Sequence, residues 1–68
     1  MTVGIKMQQT IASAETVAAN LKSFALETQD QQAKQMFGQL AQTMDNTVTT
    51  LQSRLNYIQQ QEPQYRKQ

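Results

Sequence analysis

Five carboxylates and a scatter of hydroxyls are the reactive groups this chain offers, and their spacing supports little chemistry. The carboxylates are Glu15, Glu27, Asp30, Asp45 and Glu62. Glu27 and Asp30 lie close enough to suggest a cation site, but hard cations take several oxygen ligands around a shaped loop. Two flexible side chains beside a tight turn do not supply that, and dipole or capping roles suit them better. General acid–base catalysis needs a pocket that shifts a pKa, and nothing in the pattern encodes one. Ser13, Ser23 and Ser53 have no histidine to activate them, because the chain contains none, and no lysine sits in an apolar run. Cysteine is absent as well, which removes disulfides and thiolate ligands. The expectation is a non-enzymatic chain with no catalytic residue, no metal site and no cofactor.

What remains is shape. Sixty-eight residues make one domain at most, at a size where a single core is marginal and where disulfides, a metal or association must help. With the first two removed, association is the staple left. Six Lys/Arg against five Asp/Glu leave a formal net charge of +1, and no basic face or stripe of the kind a nucleic-acid binder shows. The polarity comes from Gln and Thr, yet the apolar residues recur too regularly for a disordered chain. The opening Met1-Thr2-Val3-Gly4-Ile5-Lys6 has no unbroken apolar run, which predicts no signal peptide. No stretch approaches the roughly 18 apolar residues of a membrane span. The missing cysteines fit a reducing compartment, so the expected location is the cytoplasm.

The positioning elements are helices. Between Ile5 and Glu62 only Gly38 resists helix, at about 1 kcal/mol relative to Ala, and alternation of period two is absent. A first apolar stripe runs Val3, Met7, Ile11, Ala14, Val17/Ala18, Leu21 and Phe24/Ala25. A second runs Ala33, Phe37, Leu40/Ala41, Met44, Val48, Leu51, Leu55 and Ile58. Spacings of three and four put each set on one helical face. Carried along one continuous helix, the second stripe would emerge on nearly the opposite side from the first. An antiparallel hairpin brings the two stripes face to face.

The local chemistry places the fold-back. Thr28-Gln29-Asp30-Gln31 matches a capping box, in which Thr28 accepts from the Gln31 amide and Gln31 reaches back. Asp30 would complement the helix dipole and pair with Lys34 one turn on. Pro63 predicts a stop near Glu62. Helix 1 is therefore expected over about 3–27, the turn at about 28–30, helix 2 over about 29–62, and a tail at 63–68. Folding back at this turn sets Met7 near Leu51 and Val3 near Leu55, with Tyr57 and Ile58 projecting past the start of helix 1. Met7 and Met44 read as core, Met36 and Leu26 as a pair flanking the turn and covering one another. Gly38 reads as a surface glycine, with close approach of a partner helix as the sharper alternative. The tail Gln64–Gln68 reads as a frayed end, or alternatively as a docking peptide.

The segment Phe24-Ala25-Leu26-Glu27-Thr28-Gln29-Asp30-Gln31-Gln32-Ala33-Lys34-Gln35-Met36, with the ending Glu62-Pro63-Gln64-Tyr65 and the opening Met1-Thr2-Val3-Gly4, resembles a small bacterial family catalogued as domain of unknown function 1657. The resemblance covers essentially the whole chain. It implies a short protein of endospore-forming bacteria, in a family some of whose members are encoded beside spore-membrane channel proteins or fused to a membrane domain. It carries no catalytic residues. A weaker likeness, from Leu21 to Leu55, runs to a helix pair of ferritin-like spore coat proteins. The metal-binding form of that fold needs inward Glu and Glu-x-x-His, and neither stripe has a Glu or a His.

The expected architecture is thus all-α, a two-helix antiparallel hairpin dimerising into a four-helix bundle. The helix-packing and dimer surface is expected along Phe37, Leu40, Met44, Val48, Leu51, Leu55 and Ile58, with Thr28 and Gln31 capping the turn. The expected role is a structural or adaptor protein, a homodimer that also binds another protein, at work in the cytoplasm, the forespore or the spore. The alternative is a peripheral membrane-surface protein associated with a spore-membrane channel complex. Interfacial helices tend to carry Lys/Arg on the polar face, whereas these carry Gln and Thr, which favours the first.

Overall fold

Threonine is a weak helix former, because its hydroxyl competes for backbone groups. Here that competition is turned inward. Thr10, Thr16, Thr43 and Thr47 each donate their Oγ1 hydroxyl to the carbonyl four residues back, at 2.9–3.1 Å. The hydroxyl is satisfied within the helix and the γ-methyl is left as the outward group. A Thr- and Gln-rich chain can therefore form long helices.

The computed structural model describes residues 2–61 and consists of two α-helices, α1 (Thr2–Glu27) and α2 (Gln31–Gln61), packed as an antiparallel hairpin. Its backbone measures 49 × 14 × 10 Å, a rod two helices wide. Pro63 and the segment Gln64–Gln68 lie outside the described residues.

The turn is Thr28-Gln29-Asp30, and its capping differs from the expected box. The Thr28 amide still donates to the Phe24 carbonyl at 3.0 Å, so Thr28 belongs to the end of α1. Its hydroxyl accepts from the Asp30 amide at 3.3 Å rather than from Gln31. The residue that caps α2 is Asp30, whose Oδ1 accepts from the Gln32 amide at 3.1 Å while its carbonyl accepts from the Lys34 amide at 2.9 Å. Gln31 is the first helical residue, so a cap at Thr28 would be two residues too early. Asp at this position is as good an N-cap as any residue. Nor does Lys34 pair with Asp30: its Nζ crosses to donate to the Ala25 carbonyl at 3.0 Å. A cation thus meets the carbonyl end of α1, where the helix dipole favours it. No described residue takes a positive φ, so this lysine does part of what a glycine cap often does.

Along the seam the less exposed residues of α1 are Gly4, Met7, Ile11, Ala14, Ala18, Leu21 and Ala25, and those of α2 include Phe37, Ala41, Met44, Val48, Leu51, Leu55 and Ile58. Steps of three and four alternate strictly, the heptad pattern of a two-stranded coiled coil. Calling Gly4, Ile11, Ala18 and Ala25 the a positions makes Met7, Ala14 and Leu21 the d positions; in α2, Ala41, Val48 and Leu55 are a, and Phe37, Met44, Leu51 and Ile58 are d. Where the sequence offered a choice of two neighbours, the smaller one faces the partner helix. Ala18 (3% exposed) and Ala41 (4%) are buried, while Val17 (45%) and Leu40 (44%) are not. Gly4 is buried beside an exposed Val3, and Ala25 is half-buried beside an exposed Phe24. Small residues along the seam, Gly4, Ala14, Ala18 and Ala25 from α1 and Ala41 from α2, let the two axes approach closely.

The helices also overlap further than the spacing from the turn suggested. Gly4 is buried and Ile58 half-buried, so α1 reaches the level of Ile58 and no overhang is left there. Tyr57 is exposed at 52% because it points away from the seam. Leu26 (81%) and Met36 (49%) do not cover one another: their heptad positions put them on opposite sides of the hairpin.

Candidate interaction surface

An antiparallel helix pair has two long sides, one flanked by the e positions of both helices and one by the g positions. The e side is the charged one. Lys22 and Asp45, both e residues, form a salt bridge of 3.1 Å. The pair is about half exposed and therefore worth roughly 0–1 kcal/mol. On either side of the bridge lie shallow grooves of about 440 and 400 Å³, floored by small residues such as Ala18, Ala25, Gly38 and Ala41 and edged by Glu15, Lys22, Lys34 and Asp45. Gly38 faces open space, since a Cβ there would meet nothing within 4 Å.

The g side is apolar. It carries Val3, Val17 and Phe24 from α1 and Leu40 from α2, with Met36 and Tyr57 on the adjoining c positions, all between 43% and 52% exposed. Of the large apolar residues left exposed among the described residues, only Ile5 and Leu26 lie on the other side. Thr10, Thr43 and Thr47 share the apolar side, and each has its hydroxyl bonded within its own helix. The Phe24 ring rests on Phe37 with centroids 5.4 Å apart and planes tilted by 48°, in the range of favourable aromatic pairs. Arg54 is the one charged g residue among the described residues, and its guanidinium lies 5.0 Å from the centre of the Tyr57 ring.

Burial follows the same division. The a positions, which lean to the charged side, include the buried Ile11, Ala18, Ala41 and Leu55. The d positions lean to the apolar side, and of these only Ala14 is buried; Met7, Leu21, Phe37, Met44, Leu51 and Ile58 stay half-open. No side chain among the described residues is below 2% exposed. Of the residues expected to pack and associate, Leu55 lies in the closed seam, Phe37, Met44, Val48, Leu51 and Ile58 are half-buried, and Leu40 is exposed. Val17 and Phe24 lie on the surface, although helical spacing alone admits them to the seam. In the sequence they share a local mark, a large residue followed at once by Gly or Ala at Val3-Gly4, Val17-Ala18 and Phe24-Ala25, which does not by itself say which member faces the seam.

Among the described residues no three of His, Cys, Asp and Glu come together in a group able to hold a metal ion. Asp30 is engaged by the Gln32 amide, and Glu27 is exposed. No helix of the described residues is long and apolar enough to cross a membrane.

Compared with known families, residues 7–55 match the one described as a protein of unknown function, DUF1657. The chain belongs to the DUF1657 family. The matched stretch starts at Met7 and ends at Leu55, and so takes in most of the seam and the whole turn. For this DUF1657 chain no curated protein and no solved structure gives a match.

Proposed function

We propose that this DUF1657 protein is a non-enzymatic structural or adaptor protein that works by helix–helix association, as a homodimer forming a four-helix bundle. One observation carries the reading: the hairpin closes one edge of its seam and leaves the other half-open, with Phe37, Met44, Leu51 and Ile58 only partly covered. Two helices of this size bury five hydrophobic residues, three of them alanines. At about 25 cal/mol per Å² of apolar surface, covering several large side chains contributes several kcal/mol, comparable with the net stability of a small domain. Sedimentation equilibrium at micromolar concentration tests the reading: the expected mass is twice the 7.7 kDa of the chain, and a stable monomer overturns it.

A second reading rests on the same apolar side. Laid on a bilayer, Val17, Phe24 and Leu40 would enter the headgroup boundary, making this a peripheral membrane-surface protein, in keeping with a spore-membrane channel complex. Among the described residues only Arg54 and Lys6 stand near that side to meet anionic lipid, against the many cations such helices usually carry. Flotation with anionic vesicles separates the two, the homodimer being expected to stay at the bottom of the gradient. The proposed place of action is the cytoplasm, and within it the forespore. A fluorescent fusion followed through sporulation would locate it, and uniform signal in vegetative cells would remove the spore connection.

A further inference from the structure

We propose that the second copy docks on the apolar side of the hairpin, against Val17, Phe24 and Leu40, about a two-fold axis that sets the two hairpins antiparallel. The inference rests on the homodimer reading and adds which side is covered, by what, and in which direction.

The choice of side follows from three observations. First, the half-covered d residues and the exposed g residues form one continuous strip, whereas the opposite side is occupied by the Lys22–Asp45 bridge. Second, burying the strip leaves no hydroxyl of Thr10, Thr43 or Thr47 without a partner, because each already donates to its own helix. A buried unpaired hydroxyl would oppose association. Third, the area suffices. A side 49 Å long and about 20 Å wide, two helix diameters, offers roughly 1,000 Å², against roughly 800 Å² per partner in a stable interface.

The direction follows from charge. Lys6 and Arg54 edge the strip at the open end of the hairpin, and Glu27 and Asp30 edge it at the turn. A two-fold along the rod would stack Lys6 above the partner's Arg54. A two-fold across the rod instead sets Lys6 over the partner's Glu27 and brings Val17 and Thr47 each near its own copy at the axis. Such an isologous contact closes on itself and yields a dimer, not a filament.

The chain has no cysteine, so single-cysteine variants report cleanly. Under mild oxidation Thr47→Cys should form an intermolecular disulfide, and Thr49→Cys, on the charged side, should not. In sedimentation, Leu40→Glu should raise the dimer dissociation constant at least tenfold, with Leu26→Glu unchanged. If the wild type is a monomer, the association reading and this inference both fall. A wild-type dimer weakened by Leu26→Glu but not Leu40→Glu, or cross-linked through Thr49→Cys and not Thr47→Cys, overturns the assignment of the side alone. Should Leu40→Glu lose its helix, the pair of cysteine variants decides. Mixing Lys6→Cys with Glu27→Cys tests direction, since that mixed disulfide supports the antiparallel axis, whereas a disulfide between Lys6→Cys and Arg54→Cys in its place refutes it.

Discussion

Single residues at the turn and along the surface have separable effects. Asp30 caps α2 through the Gln32 amide, while Thr28 only steadies the turn through a longer bond to the Asp30 amide. Asp30→Ala should therefore lose about 1 kcal/mol of stability, and Thr28→Ala distinctly less, when the two are compared by urea unfolding at one concentration. Equal losses would mean that the cap is shared. Gly38→Ala should gain about 0.5–1 kcal/mol, because the backbone is helical, the new methyl meets no atom within 4 Å, and glycine loses the most freedom on folding. A loss there would show that something packs against Gly38. The carboxylates predict no metal effect: melts with and without millimolar divalent cations should coincide, and a rise of many degrees would reveal a site.

At the scale of the helix pair, stability lies in the closed edge of the seam. Leu55 is 3% exposed and faces α1, whereas Leu26 is 81% exposed. Truncating both to alanine should therefore separate them widely. Leu55→Ala should cost about 2–5 kcal/mol, and Leu26→Ala should stay within about 0.5 kcal/mol of wild type. The alanines make the reverse point. Ala18 is small because α2 lies against it, so Ala18→Leu should destabilise by about 1–3 kcal/mol through overpacking, even though leucine is the more hydrophobic residue. Denaturant unfolding of the three variants checks this, and a stabilised Ala18→Leu would show that the axes stand further apart than the burial of Ala18 requires.

For the molecule as a whole, folding and association are expected to share one core. The melting temperature should rise with protein concentration, as mass action requires of a folded dimer. Leu51→Asp should dissociate and unfold the chain together, since Leu51 is half-covered by α1 and its open part faces the apolar side. A concentration-independent melt, or a Leu51→Asp variant that remains a folded monomer on circular dichroism and sedimentation, would separate the two processes.

The all-α class and the hairpin were legible in the sequence, because each depends on period and phase. Apolar spacings of three and four admit only helix, and the phase jump between Leu21 and Phe37 admits only a reversal. Finer choices were not legible. Val17 or Ala18, Phe24 or Ala25, Leu40 or Ala41 fit the same stripe at a helical period of 3.6, and hydrophobicity favours the larger member of each pair. Only the approach of the second helix decides between them: at a coiled-coil period of 3.5 the seam has room for the small residue, and the large one is turned out to the side. The cap moved from Thr28 to Asp30 for a similar reason, since where α2 begins depends on how the chain crosses from one axis to the other. Spacing along one chain determines which residues share a face. How close the facing helix comes determines which of them are covered by the hairpin itself.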